Sequence, residues 1–228
     1  MDTQKPLNFV LIGRSGCGKG TQARLLLEHF GNLYYISTGA LLRKLAACDT
    51  EMGRRIKNVI ESGGLPFDDI AITLWMYEIS YNLRENQGIC LDGAPRRLEE
   101  AKAFYAFLEY LNRKETTLIF LIDISREEAF LRLTKRRICK KCGQLIPWLG
   151  EYKNLTACDK CNGELEERAD DTIEAINNRL DYFDDKVMKV VQYFKKKKML
   201  IKINGEQSIE KVFEDILTEV EKSKKRSI

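Results

Sequence analysis

The sequence has no long hydrophobic run and almost no histidine. None of its apolar stretches approaches the ~20 residues that cross a membrane, so we expect no membrane partner. The apolar run at 9–12 is also too short for the core of a signal peptide, and we therefore expect a cytoplasmic protein. The single histidine, His29, is expected on a helix surface.

A strong excess of charge is also missing. The formal net charge of +4 is small for a chain of 228 residues, which gives little reason to expect a polyanionic partner. The lysine-rich segments at 195–198 and 222–226 are predicted to be solvated helix ends or tails. We expect no nucleic-acid partner.

A glycine-rich segment, GRSGCGKGT at 13–21, directly follows the apolar run at 9–12. It matches the phosphate-loop pattern G-x-x-x-x-G-K, in which small residues let successive backbone N–H groups wrap a phosphate. Lys19 adds a point charge for the outer phosphates, and the next helix adds its N-terminal dipole. The segment predicts a nucleotide-binding loop made of Gly13, Ser15, Gly16, Cys17, Gly18, Lys19, Gly20 and Thr21.

Strand-like and helical patterns alternate along the chain. Strands are predicted at 7–12, 34–37, 88–92, 117–123 and 199–203. Helices are predicted at 20–30, 40–47, 52–62, 69–84, 98–112, 126–135, 171–197 and 207–222, with an N-cap in the cluster Asp170, Asp171 and Thr172. This alternation predicts an α/β fold with a parallel five-stranded sheet and helices on both faces.

Two segments interrupt the alternation. Segment 38–68 contains two helical patterns where one crossover would suffice, and segment 136–168 has no helical period. Both are expected as insertions at the sheet edge where ligands bind in open α/β folds. We therefore predict a core domain of residues 1–37, 69–135 and 169–228 that carries a helical insertion at 38–68 and a lid at 136–168.

Four of the seven cysteines form the pattern C-x2-C-x15-C-x2-C inside the segment 136–168. Paired cysteines at this spacing, in a chain expected to be cytoplasmic, favour a four-thiolate zinc site over disulfides. Four protein ligands leave no open position for water, so the zinc is expected to be structural. The predicted ligands are Cys139, Cys142, Cys158 and Cys161.

An acidic residue closes two of the predicted strands. Asp92 and Asp123 each follow an apolar run, as does the carboxylate that holds Mg²⁺ through water beside a phosphate loop. Asp92 is favoured because Gly93, Ala94, Pro95 and Arg96 follow it and place an arginine close by.

Together these motifs resemble the adenylate kinase family, in its long-lid, zinc-binding form common in bacteria, from about residue 7 to residue 217. The loop at 13–21 resembles G-x-P-G-x-G-K-G-T, and 92–96 resembles D-G-F-P-R. Segment 36–39, followed by Leu42 and Arg43, is similar to the entry of the monophosphate site. Arg136-Arg137 resembles the start of the lid, and 168–171 through 179–180 resembles its exit.

The resemblance implies a phosphate-loop NTPase fold and a monomer that binds ATP with Mg²⁺ and AMP and interconverts them with ADP. It places Lys19, Arg96, Arg136, Arg168 and Arg179 at the transferring phosphates. To the ATP site it adds Arg132, stacked on the base, and Gln207. It implies an AMP site of Thr38, Arg43, Pro66, Gly93, Arg96, Glu100, Arg168 and Arg179.

Three positions depart from the family pattern: Ser15 replaces a proline, Ala94 a phenylalanine, and Glu100 the glutamine that reads the acceptor adenine. An ionised Glu100 can only accept hydrogen bonds, which suits guanine better than adenine. Thr38 favours AMP, so another nucleoside monophosphate kinase that uses GMP is the alternative. With AMP, we expect an affinity below the family norm.

Two other protein classes share parts of these motifs. A phosphate-loop GTPase would need an Asn-Lys-x-Asp base reader, which the sequence lacks. A zinc-ribbon protein that binds nucleic acid is disfavoured by the acidic segment at 164–167, because it would repel a phosphate backbone.

Overall fold

The computed structural model describes residues 5–64, 66–168 and 171–226. Its central sheet has five parallel strands in the order β2-β3-β1-β4-β8. The predicted fold class is therefore confirmed, and the strand boundaries differ from the predicted ones by one residue at most. The strands are β1 (Asn8–Ile12), β2 (Leu33–Ser37), β3 (Gly88–Asp92), β4 (Thr117–Asp123) and β8 (Leu200–Asn204).

Helices cover both faces of this sheet. Alternate residues of β1 point in opposite directions, so that Val10 and Ile12 join one apolar core while Phe9 and Leu11 join the other. The helices are α1 (Lys19–Phe30), α2 (Thr38–Ala46), α3 (Glu51–Glu61), α4 (Asp68–Asn82), α5 (Leu98–Tyr110), α6 (Arg126–Lys135), α7 (Ile173–Tyr182), α8 (Met188–Lys196) and α9 (Ile209–Arg226).

The single predicted helix at 171–197 is divided in the structure. A π-helical turn at Phe183–Val187 separates α7 from α8. Within the predicted capping cluster, the side chain of Thr172 accepts a hydrogen bond from the Ala175 N–H and caps α7, whereas Asp171 binds arginines. Asp170 lies outside the described residues.

The two segments that interrupt the alternation fold differently from each other. Segment 38–68 supplies α2 and α3, whereas 136–168 forms a three-stranded antiparallel sheet in the order β6-β5-β7. Its strands are β5 (Arg137–Cys139), β6 (Leu145–Ile146) and β7 (Leu165–Glu167), with a short 3-10 turn at Gly150–Asn154.

No helix in the described part of the chain is both long and apolar enough to span a membrane. His29 is exposed, as expected, and its ring packs edge-on against Phe30 and Phe213.

Candidate active site

A cavity of about 480 Å³ opens beside the carboxyl ends of β1 and β3. Its walls come from the glycine-rich loop and from both inserted segments, as well as from α7. The volume lies in the range of small-molecule sites, which is roughly 300–1,000 Å³. This is the edge of a parallel sheet at which open α/β folds bind their ligands.

The glycine-rich loop connects β1 to α1 and curls around the Lys19 ammonium. A Cβ at Gly13 would lie 2.5 Å from the Ile122 carbonyl oxygen, so only glycine fits where the loop crosses β4. The Lys19 Nζ donates to the carbonyl oxygens of Gly13 and Arg14, at 2.9 Å each. All eight residues predicted to form the nucleotide-binding loop line the cavity. Arg14, which was not one of them, does not.

Asp92 ends β3 and faces this cavity. Its Oδ2 accepts a hydrogen bond of 3.0 Å from the Tyr35 hydroxyl, which the sequence had not indicated. Desolvation and then the charge of Asp92 raise the pKa of Tyr35, so the phenol stays protonated as a donor. Asp123, the rival acid, forms a 2.7 Å salt bridge with Lys202 instead.

Arginines from different elements meet at one carboxylate. Asp171 binds Arg136 through both its oxygens, with Arg136 Nη2 at 2.7 Å from Oδ1, and Arg179 Nη1 lies 2.6 Å from the same oxygen. Burial opposes ionisation, but the hydrogen bonds from Arg136 and Arg179 hold the pKa of Asp171 below its usual value. Both arginines and Arg168 line the cavity. Cationic groups from the lid and from α7 therefore converge on one point.

Two further predicted arginines also line the cavity. Arg43 lies on α2, and Arg96 follows β3, where its Nε donates to the Gly93 carbonyl at 2.6 Å. Burial lowers the pKa of Arg96, while the charges of Glu100 and Asp92 oppose that shift. Pro66 and Gly93, which the sequence resemblance assigned to the AMP site, line the same cavity.

Thr38 and Glu100 line a small neighbouring cavity instead. Both are 2% exposed. Glu100 Oε1 accepts from the Trp75 Nε1–H at 3.2 Å, and its Oε2 accepts from the Arg96 backbone N–H at 2.6 Å. The Thr38 hydroxyl is buried and has no hydrogen-bond partner among the described residues. Burial raises the pKa of Glu100.

Arg132 and Gln207 occupy different environments. Arg132 lines the main cavity and is held by Glu128 at 2.6 Å and by the Gly205 carbonyl at 3.0 Å. The Gln207 amide instead donates to Asn204 and to Asp215, and the residue is absent from the cavity wall in the described part of the chain. The sequence does not indicate that the Asn204 carbonyl and the Asp215 carboxylate would accept the hydrogen bonds of this amide.

The four paired cysteines cluster as the sequence predicts. Their sulfur atoms all lie within 4.8 Å of one another, with Cys139–Cys161 at 3.5 Å and Cys142–Cys158 at 3.6 Å. A tetrahedral zinc with Zn–S bonds of about 2.3 Å needs sulfur atoms roughly 3.8 Å apart, whereas a disulfide needs about 2 Å. A backbone hydrogen bond from Cys142 lowers the pKa of Cys139 to about 6, whereas the hydrogen bond with the Cys142 side chain raises the pKa of Cys161 to about 12, so the sulfur positions and not the pKa values carry the argument for a metal. The geometry fits a four-thiolate zinc site.

Comparison with known proteins identifies the family. The family model for adenylate kinase matches residues 11–199. The chain belongs to the adenylate kinase family. It is therefore a phosphotransferase, of the class that acts on nucleoside monophosphates.

The relatives resemble this chain along nearly all of its length. An adenylate kinase from Methanocella arvoryzae is 39% identical over 220 residues, covering 95% of this chain and 99% of the relative. One from Desulforamulus reducens is 36% identical over 94% of this chain and 100% of the relative. A third, from a Geobacillus species, is 37% identical over 92% of this chain and 96% of the relative.

The contacts of two residues at the site, Asp171 and Tyr35, were not predicted from the sequence. Asp171 was part of the family motif, but nothing local indicated that it would bind two arginines. Tyr35 lies on a strand and gave no sign of contacting Asp92, because the contact depends on the pairing of β2 with β3. In the parallel register Tyr35 lies opposite Cys90 and Ser37 lies opposite Asp92. The side chains of Tyr35 and Asp92 are therefore close together at the carboxyl edge of the sheet.

Proposed function

We propose that this chain transfers the terminal phosphoryl group of Mg·ATP reversibly to AMP, giving two ADP. The observation that carries the proposal is the cavity itself. It combines a phosphate loop with a carboxylate at the end of a strand. Arginines from both inserted segments and from α7 line it as well, together with Arg96, which follows β3. Family membership supports the same reaction.

The donor nucleotide binds along the phosphate loop in this proposal. Backbone N–H groups of the loop and the α1 N-terminus bind its phosphates, and Lys19 exchanges the carbonyls of Gly13 and Arg14 for phosphate oxygens. Arg132 stacks on the donor base. The role proposed for Gln207 is limited to its backbone, because its side chain is occupied elsewhere.

AMP occupies the opposite wall. Arg43 and Arg96 bind its phosphate, and its base lies on the side of the main cavity nearest to Thr38 and Glu100. Pro66 and Gly93 line the wall between the position of the phosphate and that of the base. The unpartnered Thr38 hydroxyl supplies a hydrogen-bonding group for the base.

Transfer itself needs positive charge and the exclusion of water. The phosphate oxygen of AMP is already an anionic nucleophile, so no general base is required. Lys19, Arg96, Arg136, Arg168 and Arg179 stabilise the charge that spreads over the transferred group. Asp171 keeps two of these arginines, Arg136 and Arg179, together.

Two metal ions complete the proposal. Asp92, whose carboxylate is oriented by the Tyr35 hydroxyl, would hold Mg²⁺ through water, and the ion would supply positive charge to the donor phosphates. Zinc bound by the four cysteines orders the lid, a small segment with little apolar core of its own.

We also propose that the inserted segments act as mobile units on a core of residues 1–37, 69–135 and 169–228. Segment 136–168 closes as a lid over the donor, and 38–68 closes over the acceptor, so that water cannot receive the phosphoryl group. A monomeric state and a cytoplasmic location stay predictions.

An acceptor panel tests the function. Purified protein is given Mg·ATP with AMP, GMP, CMP or UMP, and nucleoside diphosphate formation is followed. We expect AMP to be the best acceptor. Turnover with GMP above that with AMP would replace the proposed acceptor, and no turnover with any of the four would refute phosphoryl transfer between nucleotides.

A further inference from the structure

The Arg14 side chain does not line the cavity but contacts residues outside the phosphate loop. Its Nη2 lies 2.8 Å from Asp184 Oδ1, and its Nε donates to the Ile124 carbonyl at 3.2 Å. The guanidinium also stacks 4.4 Å above the ring of Phe183. Its Nη1 is buried without a hydrogen-bond partner among the described residues, so the ring face is what it meets instead.

Two of the three partners of Arg14, Phe183 and Asp184, belong to the π-helical turn that separates α7 from α8. Phe183 begins this turn and, like Val187, lines the active-site cavity. Arg179 lies one helical turn earlier on α7. A π turn changes the direction and rotation of the helix around it and is common at functional sites. The position of Arg179 over the cavity therefore depends on where this turn is held.

The backbone of Arg14 contacts Lys19, the lysine of the phosphate loop. Its carbonyl oxygen accepts one of the hydrogen bonds that the Lys19 ammonium donates, at 2.9 Å. One residue thus connects the lysine of the phosphate loop with the helix that carries Arg179. The charged contact to Asp184 is largely shielded from water on the arginine side, where the side chain is 15% exposed.

We propose that Arg14 is a positioning residue that fixes the Arg179-bearing helix against the phosphate loop. Through this contact, Lys19 and Arg179 keep the spacing that the transferring phosphoryl group requires. Displacements of about 1 Å in such groups can lower a rate by about 100-fold. The inference rests on the proposed phosphoryl transfer but adds a residue that does not touch the substrates.

The test compares Arg14→Met with Arg126→Met. Arg126 binds the same Asp184 carboxylate at 3.5 Å and Asp181 at 2.8 Å, but it lies on α6, and in the described part of the chain its hydrogen bonds and ion pairs go to 177–184 and not to the loop. Arg14→Met should lower kcat about 10- to 100-fold while KM for AMP stays within about threefold. Arg126→Met should keep kcat within about twofold of the unmodified chain.

Three further measurements separate positioning from a loss of folding. Unfolding midpoints of all variants are determined, and rates are measured well below them. Arg14→Lys, which keeps the charge but loses the planar fork, should recover part of kcat. The double variant Arg14→Met/Asp184→Ala should lose little more than Arg14→Met alone, because both changes remove the same contact.

A kcat for Arg14→Met within twofold of the unmodified chain would overturn the inference. So would an equal loss in Arg126→Met, or losses that multiply in the double variant. If the unmodified chain itself fails to convert ATP and AMP, the proposed function has failed instead, and the two failures are distinguishable.

Discussion

Replacing Glu100 by Gln changes one atom in the wall of the small cavity that also contains Thr38. Both carboxylate oxygens accept hydrogen bonds from buried donors, the Trp75 indole and the Arg96 backbone N–H. An amide has one acceptor oxygen, so its NH2 group must face one of these donors. A buried donor left without an acceptor costs about 1–3 kcal/mol. Since a chain of this size loses roughly 2–4 °C per kcal/mol, the unfolding midpoint should fall by about 2–12 °C.

The pH dependence gives this prediction a sign. Burial raises the pKa of Glu100 in the folded protein, so the folded state binds more protons than the unfolded one above about pH 4.3. The stability that Glu100 contributes is therefore fully present below that pH and is lost as the pH rises through its folded pKa. The penalty of Glu100→Gln should shrink between pH 5 and pH 8.

The matched control is Glu99→Gln on the same helix. Glu99 is exposed and binds only Lys102 among the described residues, at 2.7 Å, so its replacement should change stability by less than about 0.5 kcal/mol. The assay is thermal unfolding of both variants from pH 5 to pH 8. Equal stabilities of the two variants, or a penalty that grows with pH, would refute the reasoning.

The same variant tests base recognition. An amide at position 100 can donate to the adenine ring nitrogen, which the ionised carboxylate of Glu100 cannot do. If this restores ~1.4 kcal/mol of binding, KM for AMP should fall about tenfold. An unchanged KM would show that Glu100 holds Trp75 and Arg96 without reading the base.

Three other predictions concern the site and the lid. Lys19→Ala should lower kcat by orders of magnitude while the chain stays folded, because it removes the charge at the phosphates and only two hydrogen bonds to the carbonyls of Gly13 and Arg14; turnover near that of the unmodified chain would remove Lys19 from the mechanism. Metal analysis of protein never exposed to chelator should find one zinc per chain, and removing it should raise hydrogen exchange in 136–168 far more than in the central sheet; well under one zinc would contradict the site. A bisubstrate analogue that joins both nucleotides should protect 38–68 and 136–168 from hydrogen exchange; protection confined to 13–21 would indicate a rigid site.

Local patterns in the sequence were enough for several features. The phosphate loop depends on glycines at particular steps and on Lys19 beside them, which are constraints between neighbours in the chain. The strands and helices could be predicted because the spacing of apolar residues in each follows from the backbone geometry of that element. Their alternation along the chain indicates a parallel sheet. The cysteine spacing is likewise a local property, and it predicted a cluster whose sulfur distances suit zinc.

Tertiary structure decided which charges meet. The sequence contains many arginines that look alike, and only the folded chain brings Arg136 and Arg179 to Asp171, or turns Arg14 toward Asp184. It also paired Glu100 with Trp75, and it engaged the Gln207 amide away from the cavity. Such contacts join residues from separate elements, and their energies depend on burial and on distances that no local period encodes. Sequence thus determined the elements and the motifs, while packing determined the partners.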